Sequence, residues 1–115
     1  MTEKNIHSEH RKRMREKLEK YGSDVFAPHE LLEMLLYSSI PQKNTNPTAH
    51  ALLAEKSCLQ LLESSPESMQ QAEGVGPASA QLIQMAAAFA RRAVLEAFSR
   101  DPLENTFRQC MYLYM

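Results

Sequence analysis

Apolar residues recur along this chain at intervals of three and four, and nowhere do they alternate with polar ones over a sustained run. That period predicts helices and no sheet. In "SEHRKRMREKLEKY", Met14, Leu18 and Tyr21 form a thin apolar stripe on an otherwise charged segment, which predicts a helix over 8–21 with Ser8 as cap and Gly22 in the turn beyond. Glu9 with Arg13, Glu16 with Lys20 and Arg15 with Glu19 are helical neighbours there, each pair contributing about 0.3 kcal/mol. "PHELLEMLLYSS" carries a broad apolar face, Leu31, Leu32, Leu35 and Leu36 with Met34 beside it, and reads as the central buried helix begun by Pro28. Pro41 and Pro47 bracket a polar loop. Asn46 is the expected cap of a third helix over 46–56, Ser57 of a short fourth in "SCLQLLES", and Ser65 of a fifth of about two turns from Pro66. After Gly74-Val75-Gly76 the longest helix is expected over 77–98. Ala80, Ile83, Ala87, Ala90 and Val94 line one side of it, and Leu82, Met85, Phe89 and Leu95 widen that side. The expected fold is therefore all-α: a compact bundle of five to six short helices over 1–98, containing a helix-hairpin-helix motif at 66–92. Residues 99–115 are a tail or a fragment of a linker, and their end, "CMYLYM", needs a surface to pack on.

Composition narrows the class. At 115 residues and 43% apolar, the chain suits one domain with a modest core rather than a disordered segment. Its amino terminus runs straight into charges, which excludes a secretory signal. No apolar stretch approaches the ~20 residues that a membrane span needs. Cys58 and Cys110 lack metal-ligand spacing and read as free thiols in a reducing compartment, with the cytoplasm as the expected location. The net charge is -1, but residues 1–20 hold seven Lys/Arg against four Asp/Glu, and residues 21–68 hold two against six. Only the amino-terminal segment is basic, a narrower footprint than a dedicated duplex binder presents.

The candidate chemistry sits in "AEGVGPASAQ". Gly74 permits a backbone conformation closed to other residues, Val75 can turn inward as the plug of the hairpin, and Gly76 leaves bare N–H groups at a helix start. Those donors, with the positive end of the helix dipole, can receive a phosphate. Gly74, Val75, Gly76, Ala78 and Ser79 are the candidate DNA-contacting residues here, joined by Arg11 and Arg15 of the basic first helix. Against that reading, residues 77–90 contain no Lys or Arg, Glu73 opposes an anion, and Arg91-Arg92 lie far along the helix. Any tight helical corner can use glycine without binding anything. "NPTAHALL" at 46–53 echoes "GPASAQLI" at 76–83, a cap, a proline, small residues and two apolar ones, so a degenerate first hairpin and a coincidence of helix-start rules both stay open.

"HSEHRKRMREKL", "PHELLEMLLYSSIPQKNTNPTAHALL" and "SPESMQQAEGVGPASAQLIQMAAAFARR" together resemble the amino-terminal domain of the RadC (UPF0758) family, a bacterial group named for DNA repair, over residues 7–92. The resemblance is carried by His10 and Arg11, Glu30 to Glu33, Asn46 and Pro47, Gly74, Gly76 and Ala80. It implies a link to DNA. Longer members carry a second domain similar to zinc-dependent isopeptidases, with a His-x-His ligand pattern. No His-x-His occurs in this chain. A more distant likeness joins the hairpin to base-excision glycosylases, whose lysine inside the second helix is replaced by Pro77 and Ala78. His7 and His10, one turn apart, lack a third metal ligand of matching spacing. No catalytic residue, metal ligand or cofactor is expected. The expected function is a non-catalytic, sequence-independent DNA-binding module; the alternative is a helical protein-interaction or scaffold domain with a structural hairpin. Expected partners are DNA, held weakly, or protein or a second copy through residues 99–115.

Overall fold

A computed structural model describes residues 3–41 and 43–100, with only the backbone of residues 3–5 and 100. Residues 101–115, including Cys110 and "CMYLYM", lie outside the described residues. Six α-helices and two single 3-10 turns make up the described chain, and no strand occurs in it. The all-α expectation holds.

α1 runs Glu3–Tyr21 and is followed by a 3-10 turn at Ser23–Val25. It starts before Ser8, so Ser8 is an interior residue and not its cap. Gly22 closes it as expected: its N–H donates to Leu18 O at 2.8 Å, and its φ of +79° with ψ -178° is an extended positive-φ conformation open essentially to glycine alone. α2 spans Pro28–Leu35 and tightens into a 3-10 turn at Leu36–Ser38. Glu30 secures its start by accepting a hydrogen bond from the Ala27 N–H at 2.9 Å. α3, Asn46–Leu53, begins one residue earlier than expected, with Thr45 rather than Asn46 in the cap position, and ends before Ala54. Thr45 is buried and its hydroxyl donates to Glu33 O at 3.2 Å, so it ties α3 to α2 instead of capping its own helix.

α4, Cys58–Glu63, is capped as the sequence predicts. Ser57 Oγ accepts from Gln60 N at 3.1 Å, and Gln60 Oε1 accepts from Ser57 N at 2.9 Å, a reciprocal pair that satisfies two end donors. α5, Pro66–Met69, is a single turn rather than two, with Ser65 Oγ accepting from Ser68 N at 3.1 Å. The stretch after it folds as successive turns: Ala72 N donates to Met69 O and Val75 N to Ala72 O. α6 runs Pro77–Arg100, past the expected end at 98.

The core gathers around α2, α3 and the first half of α6. Leu32, Leu36, Ala49, Leu52, Leu61, Met69, Val75, Ala80 and Ile83 form one cluster. The small Ala80 and Ala49 are wholly buried, which lets helices approach closely. Ala87 is buried too, but Ala90 is exposed. Met85 and Phe89, expected to widen the buried face, are instead 64% and 80% exposed, because nothing packs on that side of α6 among the described residues.

Candidate functional site

Gly74 adopts φ +87°. A Cβ there would fall 2.7 Å from Thr48 Oγ1, too close for any real contact. Two requirements therefore converge on this glycine, a left-handed backbone and room for a neighbouring helix. The turn that starts α6 leans directly on the first turn of α3. Val75 follows and turns into the core.

α6 then opens with donors that no described residue engages. Ala80 is the first residue to donate back, to Gly76 O at 3.1 Å. The N–H groups of Gly76, Ala78 and Ser79 precede that first intrahelical bond, and Pro77 has none to satisfy. Their surroundings form a cleft of about 480 Å³ lined by Gly74, Gly76, Pro77, Ala78 and Ser79 on one side. On the other side it is lined by Ser39, Ile40, Pro41, Lys43 and Asn44 from the α2–α3 loop, with Thr48 from α3. Lys43 is exposed at this wall. It supplies the cation that residues 77–90 lack. Glu73 is exposed beside the turn and does not line the cleft.

Arg11 holds that loop in place. It is only 9% exposed. One guanidinium nitrogen, Nη1, donates to Tyr37 O at 3.2 Å and Pro41 O at 2.9 Å; the other, Nη2, donates to Lys43 O at 2.8 Å and to Ile40 O. The guanidinium plane lies 4.4 Å from the Tyr37 ring centroid, within cation–π range. Among the described residues, the Tyr37 hydroxyl is buried without a hydrogen-bond partner. Burial pushes this phenol above its ordinary value of 10.0, the Glu33 carboxylate pushes it further, and Arg11 and Arg15 partly offset both.

The sequence-derived candidates thus separate. Gly74, Gly76, Ala78 and Ser79 all border the cleft. The Ser79 side chain is 3% exposed and its Oγ pairs with Ser39 Oγ at 2.9 Å, joining the cleft's two walls, so only its N–H is left over. Val75 offers neither side chain nor N–H, the first being core and the second bonded to Ala72 O. Arg11 is spent on loop carbonyls. Arg15 is exposed on α1 and does not line the cleft. Lys43 and Thr48 lie outside the sequence-derived candidates, since a hairpin pattern shows only its own two helices and these residues come from the preceding loop and helix.

Cys58 is a free, exposed thiol. Among the described residues, no three His, Cys, Asp or Glu side chains are grouped to hold a metal ion. Nor is any helix among them long and apolar enough to cross a membrane.

A family model described as UPF0758 N-terminal matches residues 6–81. A UPF0758 protein of Fusobacterium nucleatum is 38% identical over 77 residues, covering 66% of this chain and 33% of that protein. UPF0758 proteins of Burkholderia mallei and Burkholderia pseudomallei are each 33% identical over 93 residues, covering 80% of this chain and 34% of theirs. The chain spans about a third of the length of these curated relatives. No solved structure matches it.

Proposed function

The chain belongs to the UPF0758 family through its amino-terminal domain, and from that premise we propose that it is a non-catalytic, sequence-independent DNA-binding module of a RadC-like, DNA-repair-associated protein. The observation that carries the reading is the cleft at the start of α6, where the leading N–H groups of a 24-residue helix face a wall bearing Lys43. A helix start combines free donors with a positive dipole end, and a nearby ammonium adds a full charge. Such a site recognises a backbone phosphate and carries no base readout. The turn before α6 then acts as the hairpin of a helix-hairpin-helix motif whose first helix is shortened to α5.

Binding of this kind weakens linearly in log–log form as salt rises, with a slope set by the number of phosphates neutralised. Fluorescence anisotropy with a labelled oligothymidylate and a labelled duplex, each across a salt series, tests it. Lys43→Ala is expected to weaken both uniformly and to reduce the slope by about one unit. No binding by the wild-type chain at low salt, or a Lys43→Ala slope equal to wild type, refutes the reading.

The second reading, a helical protein-interaction domain, is favoured by Met85 and Phe89, which lie one turn apart on α6 and are largely exposed. Light scattering of the wild-type chain and of Phe89→Glu tests its self-association form. A wild-type monomer at high concentration counts against that form.

A further inference from the structure

Two helix starts, not one, border the cleft. α3 begins at Asn46 with Pro47 second, and α6 begins at Pro77 after Gly76; Asn44 and Thr48 near the α3 start line the same hollow as Gly76 and Ala78. Apart from that one-residue offset of the proline, their donors are arranged alike. Asn46 N–H is taken by Asn44 Oδ1 at 3.0 Å, Pro47 has no N–H, and Ala49 is the first residue to bond back, to Thr45 O at 2.9 Å. The Thr48 N–H is therefore left over at the α3 start, as those of Ala78 and Ser79 are at α6.

A second observation is independent of helix ends. Thr48 is only 8% exposed, it lines the cleft, and no hydrogen bond among the described residues engages its hydroxyl. Little of the residue meets solvent, yet its unpartnered hydroxyl is not sealed off. The Thr45 hydroxyl, three residues earlier, donates instead to Glu33 O. The Thr48 Oγ1 sits against Gly74, at the seam between the two helix starts.

Resting on the DNA reading above, we infer that the cleft seats two successive phosphates of one strand, the first at the α6 start beside Lys43 and the second at the α3 start on the Thr48 hydroxyl and N–H. The echo between "NPTAHALL" and "GPASAQLI" then has a physical meaning: two similar helix starts present similar donors to one backbone. The ligand is a single strand of nucleic acid, since both seats open on one hollow and would take neighbouring phosphates of the same chain.

The test uses probes too short to slide. Thymidine dinucleotide, TpT, has one phosphate, and the trinucleotide, TpTpT, has two. Affinities are read from amide chemical-shift titrations of the whole chain. A second phosphate on the same molecule acts at high effective concentration, so TpTpT is expected to bind at least about tenfold tighter than TpT. Thr48→Ala is expected to bring TpTpT down to the affinity of TpT, and Thr48→Ser, which keeps the hydroxyl, to restore the gap. A gain of only about twofold from TpT to TpTpT, the statistical factor, overturns the two-seat inference while Lys43→Ala sensitivity leaves the DNA reading standing. TpTpT failing to bind while a longer oligothymidylate does overturns it as well. Failure of every DNA probe overturns the DNA reading and this inference together.

Discussion

Replacing Arg11 with lysine keeps the positive charge and removes the planar fork. Arg11 donates to four loop carbonyls, those of Tyr37, Ile40, Pro41 and Lys43, and stacks on the Tyr37 ring. Hydrogen bonds to a charged group contribute about 1.5–3 kcal/mol each when their partners are desolvated. Pro41 and Lys43 are exposed residues whose carbonyls can rehydrate, so the four do not add in full. Removing all of them by Arg11→Met is expected to cost about 3 kcal/mol. Lysine is a point donor that cannot span four acceptors in one plane. It keeps one or two of the bonds and loses the guanidinium stacking, so Arg11→Lys is expected to cost about 2 kcal/mol. Against a total stability of roughly 5–15 kcal/mol that is a large share, and it corresponds to a fall in Tm of roughly 8–16 °C. Urea unfolding of the three proteins, with the slope checked for constancy, measures it. If Arg11 instead served as a surface cation for phosphate, lysine would be a mild replacement. An Arg11→Lys protein within about 0.5 kcal/mol of wild type would therefore refute the assignment of Arg11 as the anchor of the loop.

Other outcomes follow from the same geometry. Gly74→Ala meets both the left-handed backbone and the Thr48 hydroxyl, and is expected to cost about 2–4 kcal/mol by thermal unfolding; adding Thr48→Ala should return only the part due to crowding. Tyr37→Phe removes a buried hydroxyl with no partner, so stability at neutral pH should be unchanged or rise by up to about 1 kcal/mol. Because the folded phenol titrates above 10.0, the unfolded chain loses its proton first as pH rises. Wild-type stability should fall from about pH 10 up to the folded value, and Tyr37→Phe should lack that component of the fall in alkaline denaturation.

What the sequence disclosed, and what it withheld, follows from how far each signal reaches along the chain. Ser57 and Ser65 were legible as caps because a capping hydrogen bond closes within three residues. Ser8 misled because α1 simply continues through it to Glu3. Thr45 is not legible as the cap position of α3, because its hydroxyl bonds to Glu33 O on another helix. Within the cleft, the glycines were legible since a positive φ is a local demand. Lys43 was not, because the loop that carries it reaches α6 only after folding. Arg11 looked like one more member of a charged run. Yet it stands three residues before Met14 and seven before Leu18, in line with the apolar stripe of α1, and that register is the signal that marks it as inward-facing.

The same guanidinium has a consequence in time as well as in space. α1 packs mainly on the short turn that follows it, whereas α2, α3 and α6 share the core. Its long-range polar ties to the rest include Arg11 on the loop carbonyls and His10 Nε2 at 4.0 Å from Glu33 Oε1, supported by the buried Met14. A segment attached through so few points opens as a unit, at a lower free energy than the whole domain. Native-state hydrogen exchange should therefore show α1 and the loop at 37–43 losing protection together, ahead of α3 and the first half of α6. One wall of the cleft would thus be on a hinge, released whenever α1 lifts.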